Sequence, residues 1–394
     1  MSHPGSIKGG FMLLEHIKEL LPQLRSNATQ AEESASVPKA NVELLRSVGF
    51  FKALQPKAYG GLELNISDYA ECVMTLAEGC ASTAWACSLL ANHSHGLGLF
   101  SKEAQDDVWG ADPATLVSSS VAPMGKYQEA DGGIRLSGKF GWSSGCDHAQ
   151  WAVVGYMGVN EIGQPGPCYA LIPRSDYTIM EDWDSAALSG TGSKTLVADD
   201  IFVPAHRCES LLGLNVGMSK GFGVHPGKIF LLPYSPVFSL GFAAVAAGIA
   251  RRTLAVFKEK TSNRVRAYTA ARVAESAAAC MRLAESTCEV TAAIELLRKD
   301  WREMDSGCDA GKKPDPEQVL NWRVHQAYSV KMSIAAVDRL FAAAGGGAWF
   351  RSNELQRLFR DIHICGNHAQ TDFDIASLTY GKHLMGLATS KEDY

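Results

Sequence analysis

The chain has 394 residues, a length that at about 100–200 residues per domain predicts two or three domains with sizeable cores. Apolar residues make up 46% and charged residues 20% of the sequence, which is typical of a compact soluble protein and excludes a disordered chain. The formal net charge of −5 at pH 7 offers no attraction for nucleic acid or an anionic membrane. We therefore expect a small-molecule ligand.

The cysteines and the N-terminus indicate where the protein works. The ten cysteines are scattered along the chain without a C-x-x-C pair, which predicts reduced thiols rather than a disulfide framework. The first residues do not form the charged and apolar regions of a signal peptide. We expect a cytoplasmic protein.

One uncharged stretch, residues 229–250, has the length of a membrane span of about 20 residues. Pro233 and Pro236 interrupt it early, and Arg251 and Arg252 follow its end. The remaining segment is too short to span a bilayer. It is predicted to be a buried core helix, so no membrane association is expected.

The first third of the chain is helical in pattern, with apolar residues at three- and four-residue spacing from Leu13 and a second short helix beginning near Asn41. Asp68 is predicted to cap a third helix that ends near Asn92. Glu78 is the one charge in residues 72–90, so this third helix is apolar on nearly every face. It is predicted to lie at the centre of the fold.

The middle of the chain changes to short β-rich runs separated by glycine, which predict a sheet domain or barrel. These runs are residues 115–121, 133–140, 151–156, 168–172, 177–180 and 194–202.

Long helical patterns return after a glycine-rich linker and predict a helical bundle. They cover residues 239–260, 269–301 and 316–344, with a polar hairpin loop at residues 306–316. The fold class is therefore α+β, with an N-terminal helical domain (1–113), a middle β domain (114–212) and a C-terminal helical bundle (213–394).

Two familiar cofactor motifs are incomplete. Gly133 to Lys139 approaches a phosphate-binding P-loop, but Phe140 stands where Ser or Thr should hold Mg²⁺, and a β-hairpin is the better interpretation. The chain has no G-x-G-x-x-G opening a βαβ unit, so electrons for hydride chemistry would come from elsewhere.

The spacing of His93 with His95 and of His363 with His368 does not suit ligands on one helix face, and no metal site is predicted.

Two further segments allow both a structural and a functional interpretation. The segment Gly-Trp-Ser-Ser-Gly-Cys-Asp-His at residues 141–148 combines a flat apolar ring with hydroxyls, which suits a planar heterocycle with polar edges or simply a polar turn. The Gly-Gly-Gly run at residues 345–347 is typical of a helix end, and it also permits close approach of the backbone to a phosphate.

The order of these parts resembles the acyl-CoA dehydrogenase superfamily over almost the whole chain. Three segments resemble the oxygenase components of two-component flavin-dependent aromatic monooxygenases, such as the steroid-degradation phenol hydroxylase and hydroxyphenylacetate hydroxylase oxygenases. They are Ser-Ser-Ser-Val-Ala-Pro-Met-Gly (118–125), Trp-Ser-Ser-Gly-Cys-Asp-His (142–148) and Arg-Asp-Ile-His-Ile-Cys-Gly-Asn-His (360–368).

The resemblance implies that reduced FAD or FMN, supplied by a separate NAD(P)H-dependent flavin reductase, binds and reacts with O₂. The resulting flavin C(4a)-hydroperoxide would hydroxylate a phenolic or indole-type ring. Ser144 would face the flavin N5 and retard loss of H₂O₂, His93 would act as general base on a small aromatic substrate, and His368 would lie near the hydroperoxide.

The same resemblance implies the cofactor contacts. Ser119, Ser120, Trp142 and Ser143 would border the flavin ring together with Ser144. Arg266 of a neighbouring subunit, or alternatively Arg264, would bind the flavin phosphates. Gly346 would lie against the nucleotide part of the flavin. A site shared between subunits implies a homotetramer.

One departure separates two branches of the superfamily. Many acyl-CoA dehydrogenases place a catalytic Glu shortly after the Arg-Asp pair, whereas this chain reads Asn-His-Ala-Gln at residues 367–370. The departure disfavours oxidation of a thioester by permanently bound FAD, without excluding it. A non-catalytic flavin-binding protein of the same fold is the third hypothesis.

Overall fold

The protein is described by a computed structural model that covers residues 4–265 and 267–387. Within these residues the chain forms helices, then a sheet, then a second set of helices, as the sequence predicts. The first helices are α1 (Pro4–Ser26), α2 (Ala28–Glu33), α3 (Lys39–Ser47), α4 (Ile66–Ala77), α5 (Ala81–Gly98) and α6 (Lys102–Trp109). The strands are β1 (Val117–Ala130), β2 (Gly133–Ser143), β3 (Trp151–Val159), β4 (Pro165–Pro173), β5 (Thr178–Ile179), β6 (Lys194–Pro204) and β7 (Cys208–Ser210). The last helices are α7 (Leu211–Val216), α8 (Tyr234–Ser262), α9 (Ala277–Asp309), α10 (Pro316–Ala343), α11 (Glu354–Gly366) and α12 (Phe373–Leu384).

The strands form one mixed sheet in the order β5-β6-β2-β1-β3-β4-β7. Strands β1 and β3 run parallel, and the remaining pairs run antiparallel. All six predicted strands are present, and the three-residue β7 was not predicted. Side chains alternate across the sheet, so Leu136 and Val154 fill a small β core while Val117 and Val153 join the large helical core. The sheet therefore presents one face to the helices.

Helix α5 is buried along its whole length, which confirms the prediction of a central apolar helix. The prediction that it continues from Asp68 is wrong, because the chain forms two helices that are separated at residues 78–80. Cys80 is extended, with φ −155° and ψ 111°. A Cβ at Gly79 would lie 3.1 Å from the side chains of Leu21 and Leu24, so the break lets α1 pack closely against this connection.

The start of helix α4 is capped from a distant part of the chain. Asp305 of helix α9 accepts hydrogen bonds from the backbone N–H groups of Ile66 at 2.7 Å and Ser67 at 3.1 Å. Asp68, the predicted cap, lies inside the first turn instead. The carboxylate of Asp305 satisfies the free N–H groups that a local Asp was expected to satisfy.

Helix α8 is the uncharged stretch that the sequence analysis assigns to the core, and it packs against α4, α5, α10 and α11. It is long and apolar enough to cross a membrane, but 78% of its most apolar 18-residue window is buried inside the fold. A Cβ at Gly248 would lie 2.2 Å from the carbonyl oxygen of Met74. Glycine therefore permits the close contact of α8 with α4.

Of the two long helices that follow α8, helix α9 differs from the prediction at both ends. Helix α9 begins at Ala277, later than predicted, and continues to Asp309, which shortens the loop before α10. Helix α10 begins at Pro316 as predicted, because the side chains of Asp315 and Gln318 form a reciprocal capping box around its first turn.

Candidate active site

The turn after strand β2 carries Ser144 and is held on two sides. Gly145 has a left-handed φ of +71°, and a Cβ there would lie 3.1 Å from the side chain of Leu90 on α5. The N–H of Gly145 donates to the carbonyl of Thr191 at 3.0 Å. Glycine thus lets the turn reverse and lie against α5, which buries Ser144 beside residues 188–193.

Three buried hydroxyls meet beside this turn. Ser144 Oγ lies 2.7 Å from Ser193 Oγ, and Ser193 Oγ lies 2.7 Å from Thr191 Oγ1. Thr191 donates in turn to the carbonyl of Leu188 at 2.8 Å. The hydroxyl of Ser144 is therefore shielded from bulk solvent and oriented by the chain itself.

The Arg360-Asp361 pair of helix α11 anchors residues 186–188. The Asp361 carboxylate accepts a hydrogen bond from the N–H of Leu188 at 2.7 Å, and Leu188 has a left-handed φ of +46°. Burial raises the pKa of Asp361 to about 6, against the opposing effect of this hydrogen bond. Arg360 donates to the carbonyl of Ala186 and forms an ion pair with Glu32. The pair therefore positions the segment that contacts Ser144.

The first residues of strand β1 bring three serines to the same region. Ser143 donates to the hydroxyl of Ser118 at 3.2 Å, and Ser120 donates to the carbonyl of Gly141 at 2.5 Å. Ser119 points to the other face of the sheet, which it shares with Val117 of the helical core. Ser120 and Ser143 thus tie β1 to β2, while Ser119 faces the helices.

His93 of helix α5 presents a nitrogen atom without a partner to the protein interior. Its Nδ1 lies 2.7 Å from the carbonyl of Val117, and since a carbonyl accepts only, Nδ1 carries the proton. Its Nε2 is buried and has no hydrogen-bond partner among the described residues. Burial lowers the pKa of His93 to about 4. His93 is therefore a neutral base with a free lone pair.

Aromatic side chains connect His93 to His368. The ring centroid of His93 lies 6.1 Å from Phe238, Phe238 lies 5.4 Å from Phe242, and Phe242 lies 3.9 Å from His368. Trp85 of α5 completes this wall, 4.7 Å from Phe242 and 5.9 Å from His368. Phe238 and Phe242 are one turn apart on α8, so one helix face joins both histidines.

His368 lies just after helix α11, and burial lowers its pKa to about 4. Its Nδ1 accepts a hydrogen bond from the N–H of Gln370 at 3.2 Å, which leaves the proton of the neutral ring on Nε2. His93 thus offers an acceptor and His368 a donor at the two ends of the aromatic wall. This difference suits two separate roles.

Trp142 lies on the outside of the same turn. Its side chain is 69% exposed, and it packs edge-on against Trp183 at 5.3 Å between ring centroids. Trp142 also has a positive φ of +66°, which is uncommon for a bulky residue. An exposed ring held in this way suits contact with a flat group that comes from outside.

Gly346 lies in a different place from these residues. It lines an open cavity of about 730 Å³ between the end of α8, the start of α9 and the end of α10. Arg264 lines the same cavity, and its guanidinium donates to the carbonyls of Ala343 and Ala344. A Cβ at Gly346 would meet no atom of the described residues within 4 Å. Arg266 lies outside the described residues.

Comparisons with known proteins identify the fold. The models for the N-terminal and C-terminal domains of acyl-CoA dehydrogenase match residues 12–114 and 240–373. The chain is 48% identical to the oxygenase component of p-hydroxyphenylacetate 3-hydroxylase of Acinetobacter baumannii, over 96% of this chain and 90% of that protein. It is 36% identical to the flavin-dependent monooxygenase oxygenase subunit HsaA of Mycobacterium tuberculosis, over 95% of both chains. The chain belongs to the family of flavin-dependent oxygenase components.

A solved structure supports the same assignment of this oxygenase. The crystal structure of 3-HSA hydroxylase from Rhodococcus sp. RHA1 superposes with a TM-score of 0.92 at 34% identity, covering 97% of this chain and 99% of that chain. The resemblance to the acyl-CoA dehydrogenase superfamily and its oxygenase branch is therefore confirmed.

The oxygenase contains residues near its candidate site that the sequence analysis did not single out. They are Trp85, Thr191, Ser193, Phe238 and Phe242. The aromatic pair was detectable, since two Phe residues four positions apart occur in an uncharged helix. The pairing of Ser193 with Ser144 depends on a contact between residues 49 positions apart, for which one sequence carries no signal.

Proposed function

We propose that this chain hydroxylates a small phenolic or indole-type ring, using O₂ and reduced FAD or FMN delivered by a separate flavin reductase. The observation that carries the proposal is His93, which is buried and neutral and lies on the same aromatic wall as His368, and whose Nε2 has no partner among the described residues. Related chains include a resorcinol hydroxylase of Rhizobium, 33% identical, and an indole-3-acetate monooxygenase of Acinetobacter baumannii, 24% identical. We place the enzyme in the cytoplasm.

The residues present fit a reduced flavin. The exposed Trp142 suits one border of the flat ring, with Ser119, Ser120 and Ser143 on the adjoining strands. We assign Ser144 to the ring nitrogen N5. When bound, reduced flavin would supply the two electrons with which one atom of O₂ enters the aromatic ring and the other is reduced to water.

His93 would activate the substrate. A phenol becomes a better nucleophile when its hydroxyl proton is accepted, and the free lone pair of Nε2 is available for that proton. The proton would not pass to bulk water directly, because His93, Trp85 and Phe238 are all buried. Exclusion of water also favours hydroxylation over the release of H₂O₂.

The phosphate end of the flavin is assigned to the cavity that contains Gly346. The Arg264 guanidinium already donates hydrogen bonds to carbonyls at the end of helix α10. Arg266 is therefore favoured as the phosphate ligand. Gly346 leaves room for close approach of a nucleotide. We assign this end to a neighbouring subunit in a homotetramer.

Exposed apolar side chains near the C-terminus support the homotetramer. Trp349 is 65% exposed and Phe350 is 70% exposed, and the apolar residues Leu378 and Met385 on and after helix α12 are also exposed. Exposed apolar groups of this size are typical of surfaces that bind another subunit. Sedimentation velocity should give a species four times the mass of the chain.

A direct assay tests the proposal. Reduced FMN or FAD, prepared anaerobically, is mixed with the protein, air-saturated buffer and a panel of phenols and indoles, and the products are identified by mass spectrometry. Hydroxylated product is expected only with reduced flavin. If instead an acyl-CoA thioester bleaches the oxidised FAD of the protein and no ring is hydroxylated, the enzyme is a dehydrogenase.

A further inference from the structure

The hydroxyl of Ser144 is the first member of a chain of hydrogen bonds that ends inside the protein. Ser144, Ser193 and Thr191 follow one another at 2.7 Å, and Thr191 reaches the carbonyl of Leu188 at 2.8 Å. All three hydroxyl-bearing residues are buried. We refer to Ser144, Ser193 and Thr191 as the hydroxyl relay.

The number of protons sets the direction of this relay. The carbonyl of Leu188 only accepts hydrogen bonds, so the Thr191 hydroxyl donates its single proton to it. Thr191 must therefore accept from Ser193, and Ser193, whose proton is then used, must accept from Ser144. The proton of Ser144 points into the protein, and both of its lone pairs remain available for a ligand.

The far end of the relay is fixed in place. Leu188 donates its own N–H to the Asp361 carboxylate at 2.7 Å, and this contact fixes the peptide on the other side of the residue. A Cβ at Gly190 would lie 2.8 Å from the backbone of Ala31, so the loop packs tightly on helix α2. Contacts with helices α2 and α11 therefore fix the position of the loop at which the relay ends.

We propose that Ser193 and Thr191 are positioning residues that hold the Ser144 hydroxyl as a hydrogen-bond acceptor for the flavin N5. The inference rests on the proposed function, because it requires a flavin at Ser144. A reduced flavin carries a hydrogen on N5, whereas the N5 of oxidised flavin offers only a lone pair. An acceptor held at this position favours the reduced form over the oxidised form.

Binding of the two flavin forms gives a test that does not depend on hydroxylation. Dissociation constants are measured for reduced FMN anaerobically and for oxidised FMN in air, and their ratio is compared between variants. Ser193→Ala and Thr191→Val each free the proton of the next hydroxyl. Each should lower the preference for reduced FMN about fivefold, the size of one net hydrogen bond. Thr191→Ser keeps the hydroxyl and should restore the ratio.

Ser189→Ala is the matched control, because Ser189 lies in the same loop and donates to the carbonyl of Ser185 without joining the relay. It should leave the ratio unchanged. If Ser144→Ala lowers the ratio but Ser193→Ala and Thr191→Val do not, the relay is overturned while the flavin site stands. If Ser144→Ala itself leaves the ratio unchanged, the assignment of Ser144 to N5 fails, and the relay fails with it.

Neutron diffraction of deuterium-exchanged crystals tests the direction without any variant. The deuterium of Ser144 should lie between its Oγ and Ser193 Oγ, and that of Thr191 should point to the carbonyl of Leu188. A deuterium on Ser193 that points toward Ser144 would overturn the proposal.

Discussion

The two ends of the assigned flavin site are built differently. At the ring end, Ser144 and His93 are buried and hydrogen-bonded to groups of the same chain, and His93 Nε2 has no hydrogen-bond partner among the described residues. At the phosphate end, Gly346 lines an open cavity, and Arg264 is occupied by the end of helix α10. The residues proposed for the chemistry thus lie within one chain, whereas the proposed phosphate site would include a contribution from a second chain.

Removal of the proposed base, His93, should have the largest effect at the ring end. His93→Gln removes the basic imidazole, so hydroxylation should fall about 10²–10⁴-fold, the usual contribution of general base catalysis. Single-turnover product formation measures the effect. His95→Gln is the matched control, since His95 is equally buried but bonded through Nε2 to the carbonyl of Ile229. An equal loss in both variants would contradict the role of His93.

The phosphate end is tested by its two arginines. Arg266→Ala should weaken FMN binding about 10- to 100-fold, because a hydrogen bond to a charged group is worth about 1.5–3 kcal/mol. Arg264→Ala removes donors from the carbonyls of Ala343 and Ala344, so it should lower the melting temperature more than the FMN affinity. Titration and thermal unfolding of both variants separate the roles. The reverse pattern would assign the phosphates to Arg264.

Loss of the Ser144 hydroxyl should uncouple flavin oxidation from hydroxylation while reduced flavin still binds. In Ser144→Ala the ratio of H₂O₂ to hydroxylated product should rise about five- to thirtyfold, which corresponds to about 1–2 kcal/mol. Reduced-flavin binding should remain within a few fold of wild type. Ser239→Ala, which removes an equally buried hydroxyl from α8, serves as control. An unchanged product ratio in Ser144→Ala would remove Ser144 from this role.

The smallest expected effect is a flat pH profile. Because burial lowers the pKa of His93 to about 4, its neutral form is about nine-tenths populated at pH 5 and is lost only as the pH falls through 4. The hydroxylation rate should therefore stay nearly constant from about pH 5.5 to 7.5. A fall with a midpoint near 6.5 that disappears in His93→Gln would show that His93 is solvated rather than buried.

Much of the fold follows from local patterns in the sequence. The six β-rich runs and the uncharged stretch of α8 are visible because period, charge and glycine placement act over a few residues. The break between α4 and α5 was missed, since it depends on α1 packing against Gly79. The cap of α4 by Asp305 also depends on a long-range contact, because Asp305 lies 239 residues after Ile66 and 238 after Ser67.

The candidate site was predicted by resemblance more than by pattern. Taken alone, His93 and the turn at Ser144 also suited a core histidine and a polar turn. The structure adds three features that the spacing of residues in the sequence does not reveal. They are the Nε2 of His93 without a partner among the described residues, the aromatic wall through Phe238 and Phe242, and the hydroxyl relay. These arise from tertiary contacts between α5, α8 and the sheet.

A single turnover under ¹⁸O₂ shows whether the protein transfers oxygen from O₂ to an aromatic ring. Anaerobic protein with reduced FMN is mixed with buffer containing ¹⁸O₂ and a phenol, and the mass of the hydroxylated product is measured. We expect one ¹⁸O atom in each molecule of hydroxylated product and a strict need for reduced flavin. Product that carries oxygen from water, or complete conversion of the electrons to H₂O₂ with every phenol and indole tested, would contradict it.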